Sequence, residues 1–102
     1  MTPIQDLAVL QHDIASKQVI FIDFGAKWCG PCKMILPLIE TLQPEFPSVK
    51  FLKCDIDECP DIAQAFSITS VPTLMLFKDG KLIARDGGMS RPRLRSFLEN
   101  AE

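Results

Sequence analysis

The chain has 102 residues, of which 47% are hydrophobic and 24% charged, enough for one compact domain with its own core and too few for two. Its net charge is −2, with acids and bases interleaved, which argues against a basic surface for nucleic acid or an anionic membrane. The opening MTPIQDLAVLQHDIASKQ is interrupted by Asp6 and His12 and lacks the basic start of a secretory signal, and no stretch reaches transmembrane length.

Residues 4–14 place Leu7, Leu10 and Ile14 on one helical face. VIFIDF, 19–24, is a nearly continuous apolar run, the pattern of a strand covered on both faces. After AKWCGPCK, residues Ile35, Leu38, Ile39 and Leu42 keep helical spacing, and VKFLKCDI, 49–56, reads as a second central strand. Asp57 is expected to cap a short helix from Pro60 to Phe66, followed by the loop SITSVP. TLMLF, 73–77, and KLIARD, 81–86, flank Asp79–Gly80, a hairpin turn signal. GGMS then leads into a last helix capped by Ser90, with Leu94, Phe97 and Leu98 turned inward. The order αβαβαββα implies an α/β fold over residues 1–102, a central mixed sheet flanked by helices on both faces. Its first two strands should be parallel, and the closing hairpin antiparallel to its neighbour.

The chemistry concentrates in WCGPCK, 28–33, where a strand gives way to a helix. Cys29 falls at the cap position, Gly30 and Pro31 in the first turn and Cys32 one turn on. Proline is tolerated there because its missing N–H would have been an orphan donor. The remaining orphan donors and the positive end of the helix face the Cys29 sulfur and favour its thiolate. A three-residue offset brings the two side chains to about 5–6 Å, near bridging distance. Gly30 clears space for another chain to approach Cys29. Zinc is the competing reading, with Cys54, Cys59 and His12 as further ligands, but Cys54 lies inside a strand pattern and a helix separates the two pairs. A structural staple is weak, since a two-residue loop removes little chain entropy. A redox switch fits best.

With these residues, the chain resembles the thioredoxin family over nearly its whole length, through IDFGAKWCGPCK, VKFLKCDID, SVPTLMLFKDGK and a glycine before the last helix. The resemblance implies a thioredoxin-like fold and a protein disulfide reductase that works through a reversible Cys29–Cys32 disulfide, without a bound cofactor or metal. By position, Cys29 matches the nucleophile and Cys32 the resolving cysteine. Asp23 matches the buried carboxylate that relays protons for Cys32, and Lys53 the lysine beside it. Pro72 matches a cis-proline facing the cysteines, and Gly87 the glycine bordering the substrate groove, to which Trp28, Gly30, Pro31 and Val71 also belong. The implied partners are disulfide-containing target proteins and an NADPH-dependent thioredoxin reductase. A cytoplasmic monomer with no membrane or nucleic-acid partner is expected.

Read without the family, Asp23 either has a partner, or has a raised pKa, or reaches solvent at a strand end. Lys53 is equally readable as a solvated strand residue. Two positions depart from the family pattern. Gly25 stands where many relatives carry a bulky aromatic, so the back of the motif should be looser. Asp86 stands before Gly87 in place of an apolar residue, giving a more acidic rim. Cys54 is expected to fill the core, and Cys59 to be more exposed, either inert or regulatory.

Overall fold

A computed structural model describes residues 1–87 and 90–101. In chain order they form β1 (Thr2–Pro3), α1 (Leu7–Ala15), β2 (Val19–Gly25), α2 (Gly30–Leu42), a 3₁₀ turn (Gln43–Glu45), β3 (Val49–Asp55), α3 (Pro60–Ala65), β4 (Thr73–Lys78), β5 (Lys81–Asp86) and α4 (Arg91–Glu99). The sheet runs β1-β3-β2-β4-β5. β2 is parallel to β3 and antiparallel to β4, and β5 is antiparallel to β4. The parallel pair and the antiparallel hairpin are those expected from the element order. The edge strand β1 is an addition. It pairs parallel with β3 over two residues, and the Ile4 N–H continues the ladder to the Lys53 carbonyl at 2.8 Å. Two residues, one of them proline, show no alternation to read.

Alternation along β2 decides what lies on each face. Ile20, Ile22 and Phe24 pack with Leu10 of α1 and Ile62 of α3. Phe21 points the other way, into a cluster with Ile35, Ile39 and Leu42 of α2 and Leu94, Phe97 and Leu98 of α4. Side chains two apart share a face, so Asp23 and Gly25 lie on the α2 side with Phe21. On β3, Lys53 and Asp55 share the side of Phe51, and the register sets Asp23 beside Lys53 and Gly25 beside Asp55. The pleat thus delivers a carboxyl and a bare backbone position beneath the start of α2.

Helix starts differ from expectation in two places. α1 begins at Leu7, three residues later than read, because the Asp6 carboxylate accepts the Val9 N–H at 3.1 Å and the Ile4 N–H is held by the Lys53 carbonyl of β3. α3 is not capped by Asp57. Cys59 holds the cap position without a side-chain bond, while Asp55 Oδ1 accepts the N–H groups of Asp57 and Glu58 at 2.8 and 3.2 Å. Ser90 does occupy the cap position of α4, also without a side-chain bond, and Leu94, Phe97 and Leu98 are buried. Gly88 and Met89 of GGMS lie outside the described residues. Between β4 and β5, Asp79 and Gly80 have φ of 52° and 80°, the two left-handed residues of a type I′ hairpin turn.

Candidate active site at the start of the second helix

Cys29 is the cap residue of α2, with extended backbone (φ −86°, ψ 111°), and Pro31 sits in the first turn. The Cys32 N–H donates to Cys29 Sγ at 3.2 Å, the place a cap oxygen usually takes. Cys29 and Cys32 are joined by a disulfide, with their Cα atoms 5.3 Å apart. In this oxidised form neither sulfur is freely exposed: Cys29 is 4% and Cys32 8% accessible. Instead Cys29 and Cys32 pack with Ala26, and Val71 and Ile56 cover them.

The surface around them is open. Gly30 is exposed, and a Cβ there would meet nothing within 4 Å. Trp28 is 68% exposed, an unusual state for an indole, and its Nε1–H donates to Asp57 Oδ2 at 2.7 Å. That bond ties the segment before the cysteines to the loop after β3 and gives Asp57 its task in place of capping. Met34, 77% exposed two residues beyond Cys32, extends the apolar surface and was not singled out from the sequence.

Val71 and Pro72 are joined by a cis peptide, Val71 lies against the cysteine cluster, and Pro72 is buried. Gly87 backs onto this loop. A Cβ at position 87 would stand 2.6 Å from the Pro72 carbonyl oxygen, a backbone atom that cannot swing aside. Residues distant in sequence, 29, 71, 72 and 87, are thus brought together at one end of the sheet. Asp86 is not a free rim charge. Its Oδ1 accepts the Gly87 N–H at 2.7 Å and its Oδ2 accepts from Arg93 at 2.6 Å, and these bonds hold its pKa below the usual carboxylate range.

Beneath the disulfide, Asp23 is 7% exposed, and its Oδ1 has no hydrogen-bond partner among the described residues. Burial pushes its pKa up to about 6, against the opposing pull of the Lys53 ammonium. Lys53 itself is exposed and reaches Asp23 only as a charge on the neighbouring strand. A cavity of about 530 Å³ lies beside them, lined among others by Asp23, Gly25, Cys32, Leu36 and Lys53. The looseness expected from Gly25 is therefore a defined space.

The other two cysteines do not converge on this pair. Cys54 and Cys59 are both buried in the cluster on the α1/α3 side of the sheet. Cys59 was expected to be more exposed; it is 4% accessible, because its thiol turns toward the Ile4 carbonyl at 3.6 Å. Burial raises the pKa of both thiols, that of Cys54 to about 12. Among the described residues, no three of His, Cys, Asp or Glu are grouped to hold a metal ion.

Known proteins share this arrangement. The family model "Thioredoxin" matches residues 5–100. The thioredoxin of Chlamydia trachomatis is 49% identical over 77 residues, which is 76% of either chain. The mitochondrial Thioredoxin-3 of Saccharomyces cerevisiae is 44% identical over 100 residues, covering 98% of this chain and 79% of its own. The crystal structure of oxidised mitochondrial thioredoxin 3 from the same yeast superposes with a TM-score of 0.91 at 39% identity, over 98% of this chain and 94% of the other. A disulfide closing the first turn of a helix at the end of a central strand, together with these likenesses, makes this chain a member of the thioredoxin family, the thiol–disulfide oxidoreductases.

Proposed function

We propose that Cys29 is the nucleophile of disulfide exchange, Cys32 the resolving thiol and Asp23 the group that takes the Cys32 proton. The observation behind the first assignment is the Cys32 N–H aimed at Cys29 Sγ across the start of α2. Once the bond is reduced, that donor and the positive helix end favour a thiolate on Cys29. The Cys29 thiolate attacks one sulfur of a target disulfide, forming a mixed disulfide and releasing the other sulfur as thiolate. Asp23 then accepts the Cys32 proton, and the Cys32 thiolate attacks Cys29 Sγ. The Cys29–Cys32 bond forms and the target leaves with both sulfurs reduced.

Thiolate stabilisation supplies only part of the rate. Lowering a thiol pKa from ~8.5 to ~7, the latter a value typical of the family, raises the thiolate fraction at pH 7 about sixteen-fold. A Brønsted slope of ~0.45 takes back about five-fold in nucleophilicity, leaving about three-fold. Positioning must supply the larger share. We assign it to the surface made by Trp28, Gly30, Pro31, Val71, Pro72 and Gly87, where an extended target segment would lie. Lys53 is assigned an electrostatic part, moderating the charge on Asp23.

Family membership implies disulfide-containing protein targets and reduction by thioredoxin reductase. We further propose NADPH as that reductase's electron source, a monomeric state and a cytoplasmic address; one of the relatives is mitochondrial, and among the described residues no helix is long and apolar enough to cross a membrane. Reduction of insulin with a dithiol reductant tests the assignment. Cys29→Ser should abolish turnover, and Cys32→Ser should trap target as a mixed disulfide at position 29. Full turnover by Cys29→Ser would overturn it.

A further inference from the structure

The turn that follows β3 reaches back to the segment before the cysteines. The Ile56 N–H donates to the Gly25 carbonyl at 3.0 Å, so the turn starts where β2 ends. The next two residues make two ties. Asp57 Oδ2 accepts the Trp28 indole N–H at 2.7 Å, and Glu58 Oε1 meets the Lys27 ammonium at 3.1 Å. The Lys27–Glu58 pair joins exposed side chains, and such pairs hold little. The indole bond is therefore the tie that fixes the surface beside Cys29.

An exposed indole held by an exposed carboxylate is fixed only as well as the backbone that carries the carboxylate. That backbone is set by Asp55, the last residue of β3. Its Oδ1 accepts the N–H of Asp57 at 2.8 Å and that of Glu58 at 3.2 Å. Both donors lie ahead of α3, whose cap position belongs to Cys59, so the Asp55 carboxyl orders the turn and not the helix. Asp55 is itself partly buried and anchored. Its backbone is in register with Gly25, and its carbonyl accepts the Cys59 N–H at 3.0 Å. A rigid acceptor thus holds Asp57, which holds Trp28.

We infer that Asp55 is a positioning residue for protein targets, acting through Asp57 to keep the Trp28 ring in the pose that a target segment meets. This rests on the place proposed for Trp28 in the target surface. A ring already held loses less freedom on binding than a mobile one, so the benefit appears in affinity for the target. A small disulfide does not lie across the ring and gains nothing from it. Exchange at the two sulfurs is untouched.

The test compares reduction of insulin with reduction of hydroxyethyl disulfide. Asp55→Ala should raise KM for insulin about three- to ten-fold, the net worth of one hydrogen bond. Its kcat, and its rate with hydroxyethyl disulfide, should each stay within about two-fold of the parent. Asp55→Asn keeps the acceptor oxygen and should keep the parent KM. In nitrogen relaxation the Trp28 indole N–H should lose order in Asp55→Ala, from the rigid range of about 0.85 toward about 0.6, and hold it in Asp55→Asn. Trp28→Ala should raise KM by itself, and adding Asp55→Ala should raise it further by less than about two-fold, since the two act through one contact. Unchanged insulin KM in Asp55→Ala, an equal loss with hydroxyethyl disulfide, a raised KM in Asp55→Asn, or a full further loss on top of Trp28→Ala would each overturn the inference. Should Asp55→Ala fail to fold, Asp57→Ala decides: an insulin KM within about two-fold of the parent sinks the route through Asp57. Unchanged KM in Trp28→Ala instead removes Trp28 from the target surface, and the role of Asp55 falls with that reading.

Discussion

Asp23 is where residue chemistry and fold stability oppose one another. Its carboxyl has an ordinary pKa of 3.8 and is raised to about 6 by burial. The folded chain therefore holds a proton that the unfolded chain has lost between those values. Stability is greatest below about pH 4 for this group, declines as pH rises through about 6, and is flat above that. A pKa raised this far corresponds to about 3 kcal/mol. Asp23→Asn should raise stability at pH 8 by up to about that amount and leave pH 4 nearly unchanged. Denaturant midpoints at the two pH values check it, and a lower midpoint at pH 8 would show that the charged form is better compensated than its surroundings indicate. At Gly87 the constraint is steric. Gly87→Ala sets a methyl 2.6 Å from the Pro72 carbonyl oxygen, so the loop must move, at about 1–3 kcal/mol. Thermal unfolding should show the loss, and insulin reduction should slow more than reduction of a small disulfide, which needs less of the loop.

At the scale of elements, the start of α2 sets the direction of exchange. Pro31 places no charge beside the sulfurs. A histidine there, partly protonated at neutral pH, would stabilise the Cys29 thiolate and hence the reduced form. Pro31→His should therefore be the stronger oxidant, read as an equilibrium with glutathione shifted toward reduced protein; an unshifted equilibrium would refute this. The reason this helix was legible in the sequence is that its cap, its proline and its apolar spacing all act within a few residues. β2, β3 and the Asp79–Gly80 hairpin were legible for the same reason, each carrying its own pattern. The start of α3 was not. Asp57 has the chemistry of a cap, but the fold brings Trp28 to it from another element, and no local pattern records that pairing. β1 exists only because β3 offers it an edge.

Taken as a whole, the molecule is a sheet with a separate apolar cluster on each face. Phe21 is central to one of them, with its ring 5.1 Å from that of Phe51 and 6.2 Å, edge on, from that of Phe97. Phe21→Ala should cost about 3–5 kcal/mol, since the strands and helices around it close in only partly. A loss under about 1 kcal/mol, measured by denaturant unfolding, would mean that α4 collapses into the space. The same face carries Asp23 one pleat further on, so the core and the site share one strand. Motif and periodicity disclosed the cysteine pair and the strand bearing Asp23. The cavity behind Gly25 was visible only as a missing side chain, because its volume comes from β1, β3 and α2 together.

The chain contains one tryptophan and no tyrosine, and that single indole stands next to Cys29, exposed and fixed by Asp57. Near-ultraviolet excitation therefore ends on one ring, beside the bond that opens and closes. Emission from the unlabelled protein should brighten when the disulfide, an efficient quencher at contact range, is cleaved, and change again when a bound peptide covers the ring. Each turnover would be readable in real time without a dye.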